Sequence, residues 1–180
     1  MNDISVRFPV NDSRKKILED LCVSKKQLPG IRDVMFKPIS MDLNQYHPNK
    51  ICLRLREFSD GHASLIEIQT VKAVTGYSDE KKTFGEGNLA DLERIAKEMN
   101  FEKWGEMSVN STEYTMSNNG STTIALVQNI IPVGEFIKIE SPTAKAINNF
   151  LKELNVSEEE KIERNAAVLL GEHLGLIAKP

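Results

Sequence analysis

51-ICLRLREFSDGHASLIEIQTVK-72 is the stretch whose reading decides the fold. Leu53 and Leu55 alternate with Arg54 and Arg56. After Ser59-Asp60-Gly61, Ile66 and Ile68 alternate with Glu67 and Gln69. Successive side chains of a strand point to opposite faces, so the pattern predicts two strands joined by a turn. One face of this hairpin is expected to be aliphatic, and the other to carry two guanidinium groups, a carboxylate and an amide. Periodicity leaves open whether the charged face meets water or a ligand, because antiparallel sheets commonly keep one wet face.

Three further segments extend the same theme. In 3-DISVRFPV-10, Ile4, Val6 and Phe8 take one face while Asp3, Ser5 and Arg7 take the other. In 135-EFIKIE-140, Ile137 and Ile139 oppose Phe136, Lys138 and Glu140. Residues 122–131 are rich in β-branched side chains and read as a strand. It is preceded by 106–116 as another strand, with an Asn-Gly turn at 117–120. A short strand is expected around Val34–Phe36. Pro38 and Pro48 argue for irregular structure after it.

Helices are expected in four places. Asn11-Asp12-Ser13 offers N-caps for one running to about Gln27. Asn88 caps a second through Met99, with Leu89, Leu92, Ile95 and Ala96 on its stripe. Ser141-Pro142 starts a third. Ser157 to Glu160 forms a capping box for a fourth, carrying Ile162, Ala166, Leu169, Leu170 and Leu174. The polar, glycine-punctuated run from Val74 to Gly87 reads as a loop. Trp104 reads as core or core-edge filler.

The composition narrows the function. The chain has 180 residues, 40% hydrophobic and 27% charged, with 23 Lys+Arg against 26 Asp+Glu. That balance argues against a nucleic-acid surface. No apolar run is long enough to span a membrane, and MNDISVRF lacks the apolar core of a signal peptide. The chain is therefore expected to be cytoplasmic, with Cys22 and Cys52 reduced. Cys52 reads as a buried inert thiol, the alternative being activation beside Arg54. His47, His62 and His173 have no metal-ligand spacing, Ser5 has no nucleophile motif around it, and Gly85-Glu86-Gly87 lacks the Lys-Ser/Thr of a phosphate loop. The charged faces suit phosphate, since arginine's planar fork donates two parallel hydrogen bonds.

Taken in order, the Asp3–Phe8 strand, Leu53-Arg54-Leu55-Arg56 with its Asp60-Gly61 turn, and Gly134-Glu135-Phe136-Ile137-Lys138-Ile139-Glu140 resemble the CYTH superfamily. This is the triphosphate-tunnel fold of class IV adenylyl cyclases and of thiamine and inorganic triphosphatases. The resemblance runs over most of the chain, 1–180 reading as a single CYTH-like domain. It implies an α+β fold: a mostly antiparallel, barrel-like tunnel with flanking helices. It also implies that Arg7, Arg54, Arg56, Lys72 and Lys138 hold the oxygens of a triphosphate or nucleotide anion. Asp3, Glu67 and Glu140 would then be weak ligands for Mg²⁺ or Mn²⁺. The chain departs from the family pattern at Ser5, Lys138, Gln128, Gln69 and 110-NST-112, where the family carries acidic or basic residues. Three functions follow: a tunnel that binds a polyphosphate-type anion with its catalytic residues partly lost, an active metal-dependent triphosphatase or adenylyl cyclase, or a non-catalytic scaffold.

Overall fold

The computed structural model describes all residues except Met1, Asn2, His47, Asn49, Lys50, Val74, Asn119, Gly120 and Pro180. The Asn-Gly turn and His47 thus lie outside the described residues. The strands are β1 (Ile4–Pro9), β2 (Ser24–Gln27), β3 (Ile31–Pro38), β4 (Ile51–Phe58), β5 (Ala63–Lys72), β6 (Tyr77–Gly87), β7 (Phe101–Asn118), β8 (Ser121–Ile131) and β9 (Gly134–Ser141). The helices are α1 (Asp12–Leu21), α2 (Leu89–Glu98), α3 (Ala144–Glu153) and α4 (Ala166–His173). None of them is long and apolar enough to cross a membrane.

All nine strands join one antiparallel sheet in the order β2-β7-β3-β4-β5-β6-β1-β9-β8, and β8 returns to pair with β7. The sheet therefore closes on itself as an eight-stranded barrel, with β2 riding outside on β7. The long β7 makes closure possible: its first half pairs with β3 and its second half with β8. An α+β barrel-like tunnel with flanking helices is what the sequence led us to expect.

Alternation along each strand divides outside from inside. Val6, Phe8, Ile137, Ile139, Tyr114 and Ala125 face out and bury against Leu18 of α1 and Ile147, Phe150 and Leu151 of α3. Val34, Phe36, Leu53, Leu55, Ala63 and Leu65 face out beneath Leu92 and Ala96 of α2. Each such fully buried large side chain contributes about 1.5–3 kcal/mol. The inward face is consequently left to the other set. At one end α4 plugs the barrel: Ala166, Ala167 and Leu170 pack on Met35, Cys52, Met107, Val109 and Ile130. Gly105 lets Leu170 in, since a Cβ there would stand 2.9 Å from its Cδ2.

Several local expectations are corrected. Helix α1 stops at Leu21, and Ser24–Gln27 instead pairs with the outer edge of β7, from Ser24 opposite Thr115 to Gln27 opposite Thr112. The run read as a loop is strand β6, paired with β5 along most of its length. It shows no apolar stripe because one face meets a polar lumen and the other meets solvent. β3 extends well beyond Val34–Phe36, and Trp104 lies within one continuous strand that runs through 106–116. Pro142 precedes the helix it was expected to start; Thr143 caps α3 by accepting from the Ala146 N–H. The Ser157–Glu160 capping box exists but closes only a single 3-10 turn, and Asn165 caps α4.

Candidate functional site: a charged lumen with an apolar wall

The barrel encloses a cavity of about 470 Å³. Arg7 enters it from β1, Asp33 from β3, Arg54 and Arg56 from β4, Asp79 and Lys81 from β6, Gln128 from β8, and Lys138 and Glu140 from β9. Asn165 and Ala166, at the start of α4, complete one side.

Asp33 organises the first half. Strand register sets it opposite Arg56, and it has no exposed surface. Arg56 grips it with a two-pronged fork, Nε to Oδ1 and Nη2 to Oδ2, both 2.8 Å, while Arg54 Nη1 donates to Oδ2 at 3.0 Å. Burial pushes the Asp33 carboxyl up, but the two guanidinium charges outweigh it and hold the group below its ordinary value. One carboxylate is therefore shared by two cations, buried Arg54 and half-buried Arg56.

The second half lies across the barrel. Register sets Arg7 opposite Lys138 and Ser5 opposite Glu140. Lys138 Nζ donates to Glu140 Oε1 at 2.6 Å, and Ser5 Oγ donates to the same oxygen at 3.5 Å. Burial raises the Glu140 carboxyl, yet Lys138 first and then Lys81 bring it below its usual range. Arg7 is 4% exposed and, among the described residues, reaches neutral acceptors, the Arg164 carbonyl at 3.1 Å and Gln128 Oε1 at 3.4 Å. Its Nε, like the Nε of Arg54, is buried with no hydrogen-bond partner among the described residues. Buried donors of this kind cost about 1–3 kcal/mol each, and more when charged. Lys81 is exposed by area, but its ammonium sits among the lumen cations. Partial burial first, then Arg56 and Lys138, hold its pKa below the ordinary lysine value.

The structure thus brings Arg7, Arg54, Arg56, Lys138 and Glu140 to one cavity. It leaves out three residues that the sequence put forward. Glu67 pairs across from Leu53 and so shares the outward face. Direct pairing sets Ile66 opposite Arg54 and Ile68 opposite Cys52, so the two isoleucines share the inward face with the arginines. The hairpin faces expected from sequence were one residue out of phase on β5. Lys72 keeps the inward parity but lies at the strand end, its side chain 81% exposed and 3.7 Å from Glu163. Asp3 is exposed ahead of β1 and does not line the cavity. Cys52 is fully buried, and burial pushes its thiol up rather than activating it.

Asp33, Asp79 and Lys81 were missed. Asp33 was legible in the alternation of IRDVMF, which sets it opposite in phase to Val34 and Phe36. Asp79 and Lys81 were hidden by the reading of β6 as a loop. Missed as well was the apolar side of the lumen, where Ile31, Val109 and Ile130 stand in register on β3, β7 and β8.

The donor set does not fit a divalent cation. Among the described residues no three Asp, Glu, His or Cys side chains are grouped to hold one. Asp33 is held by two arginines, and the Lys138 ammonium is already bonded to Glu140 Oε1. Asp79 accepts from Thr70 Oγ1 at 2.8 Å.

No protein-family model and no curated protein sequence matches the chain. Solved structures do. PH1012 from Pyrococcus horikoshii OT3 is 20% identical, the match covering 93% of this chain and 99% of that one at a TM-score of 0.66. A protein from Vibrio parahaemolyticus described as a candidate adenylate cyclase is 12% identical over 95% and 98% of the two chains, with a TM-score of 0.64. HpAC1 from Hippeastrum, described as a candidate adenylyl cyclase with a dominant triphosphatase activity, is 16% identical over 99% and 98%, with a TM-score of 0.61. The chain has the CYTH, or triphosphate-tunnel, fold.

Proposed function

We propose that this protein is an anion-binding member of the tunnel fold, one that captures a phosphate-bearing small molecule in its lumen by arginine rather than by metal. The observation that carries the reading is the meeting of Arg7, Arg54 and Arg56 in one cavity, with two of their buried Nε donors unpartnered among the described residues. A phosphate head supplies acceptor oxygens to such donors and offsets the uncompensated guanidinium charge. The same geometry argues against metal-dependent turnover, because Asp33 and Glu140 are engaged by cations and Asp79 by the Thr70 hydroxyl. Metal-assisted phosphoryl chemistry needs carboxylates free to bind its ion.

The test is thermal stabilisation by tripolyphosphate and inorganic phosphate, run beside phosphate release from tripolyphosphate, ATP and thiamine triphosphate with Mg²⁺ or Mn²⁺. Stabilisation by an anion without turnover is the expected result. Arg7→Gln removes the lumen arginine that, among the described residues, reaches no carboxylate, and should abolish the stabilisation while leaving the fold intact. Rapid phosphate release would replace this reading with an active triphosphatase. Indifference to every anion would leave a scaffold.

A further inference from the structure

The lumen is two-sided, and the two sides ask for different parts of one ligand. We infer that the ligand is a phosphate monoester on an apolar body, a single compact dianionic head carried by a hydrocarbon or aromatic group, rather than a linear triphosphate. This rests on the reading of the lumen as an anion site and narrows what enters it.

Charge is the first argument. Arg7, Arg54, Arg56, Lys81 and Lys138 face Asp33, Asp79 and Glu140, so among the described lining residues five cations meet three carboxylates, a surplus of two. A phosphate monoester carries about −1.5 to −2 at neutral pH and matches that surplus. A linear triphosphate overshoots it, and the excess would call for metal ions that this donor set does not accommodate.

The wall is the second argument. Ile31 and Phe58, directly opposite on β3 and β4, form a half-buried apolar strip with Leu28 and Leu126, backed by Met107, Val109 and Ile130, which are already buried against α4. A polyanion laid along that strip would lose water and gain no hydrogen bonds in return. An alkyl or aryl group there would bury apolar area. At about 470 Å³ the cavity falls in the range of small-molecule sites, roughly 300–1,000 Å³, and has room for a body beyond the head. The head has a natural seat where Arg7 meets the start of α4, since Arg7 Nη1 is already bonded to the Arg164 carbonyl one residue before the Asn165 cap. Helix N-termini favour negative groups.

The experiment is calorimetric titration of the whole protein with inorganic phosphate, methyl phosphate, n-hexyl phosphate, phenyl phosphate and tripolyphosphate. Hexyl phosphate should bind at least tenfold tighter than methyl phosphate, since each buried methylene is worth about fourfold. It should also bind tighter than tripolyphosphate. Phe58→Ser, at a half-buried position lining the cavity, should erase most of the hexyl advantage and leave methyl phosphate within about twofold. Ile31→Ser, at a half-buried position, makes the same test if the first variant folds poorly. Equal binding of hexyl and methyl phosphate, tripolyphosphate binding tightest, or a hexyl advantage that survives in both variants would each overturn the inference while leaving an anion site in place. Failure of every anion to bind would remove the anion site itself.

Discussion

Asp33 shows how much one residue can settle. It has no exposed surface, and it is the shared partner of two arginines that line the cavity. Removing one partner of a buried ion pair leaves an uncompensated charge, at a cost of about 3–5 kcal/mol. Asp33→Ala is therefore expected to lose stability of that order in urea unfolding at pH 7, with part of it recovered on adding phosphate. The sign of the pH dependence follows from the lowered carboxyl pKa. The stabilisation is complete above the ordinary value of 3.8 and is lost as pH falls through the lower folded-state value. The gap between wild type and variant should close on acidification below pH 3.8. A gap that persists there would mean the destabilisation is not electrostatic.

Among elements, the pairing of β1 with β6 is the thinnest join in the barrel. Ser5 opposite Tyr77 is the one register pair there among the described residues, whereas β5 and β6 pair from Ala63–Gly87 to Lys72–Tyr77. Gly76 permits the approach. Its φ of +76° lies in the left-handed region, and a Cβ would stand 2.0 Å from the Ser5 carbonyl oxygen. Gly76→Ala should cost about 1–3 kcal/mol in backbone strain alone, with the clash added. Amide exchange should then quicken first at Ser5 and Tyr77. Exchange that speeds uniformly across the sheet would show that the join is no weak point. On the outside, Arg14 fixes α1 to the end of α3. It donates to the carbonyls of Pro9, Leu154 and Asn155 at 2.9–3.1 Å and to Glu160 at 2.8 Å. Arg14→Ala orphans those three acceptors and should cost roughly 2–4 kcal/mol in denaturant unfolding. Glu160→Gln, at a half-buried partner that keeps an acceptor oxygen, should cost far less.

At the scale of the whole molecule, closure of the sheet determines the chemistry. Eight strands leave an interior just wide enough to hold side chains or one small ligand. Helices cover both apolar outer faces and α4 fills one end, so the remaining inward polar groups are gathered in the lumen. There Arg54 and Arg56 pair with Asp33 and Lys138 with Glu140, and a surplus of cations remains. Titration with Mg²⁺ and Mn²⁺ is expected to give no tight stoichiometric binding. Two tightly held ions per chain would show that the Lys138–Glu140 and Arg–Asp33 pairs open readily, and would reinstate metal chemistry.

How much of this was legible in the sequence depends on what each strand faces. Strands with one apolar and one charged side, such as Ile4–Pro9 and Gly134–Ser141, announced themselves, because burial under a helix imposes strict alternation. Strand β6 did not, since both its faces are polar and only pairing with β5 makes it a strand. Nor could Ser24–Gln27 be read as extended, because its reason for being so is the free edge of a strand some ninety residues away. By itself the sequence determined the alternating apolar and basic faces, the helix caps at Asn11 and Asn88, and the resemblance to the tunnel fold. Tertiary structure alone decided which cations share a carboxylate, which isoleucines turn inward, and that Glu67, Lys72 and Asp3 stand apart. The physical reason is register: side chains alternate within a strand by covalent geometry, whereas which residue stands opposite which is fixed by hydrogen bonding between strands distant in sequence.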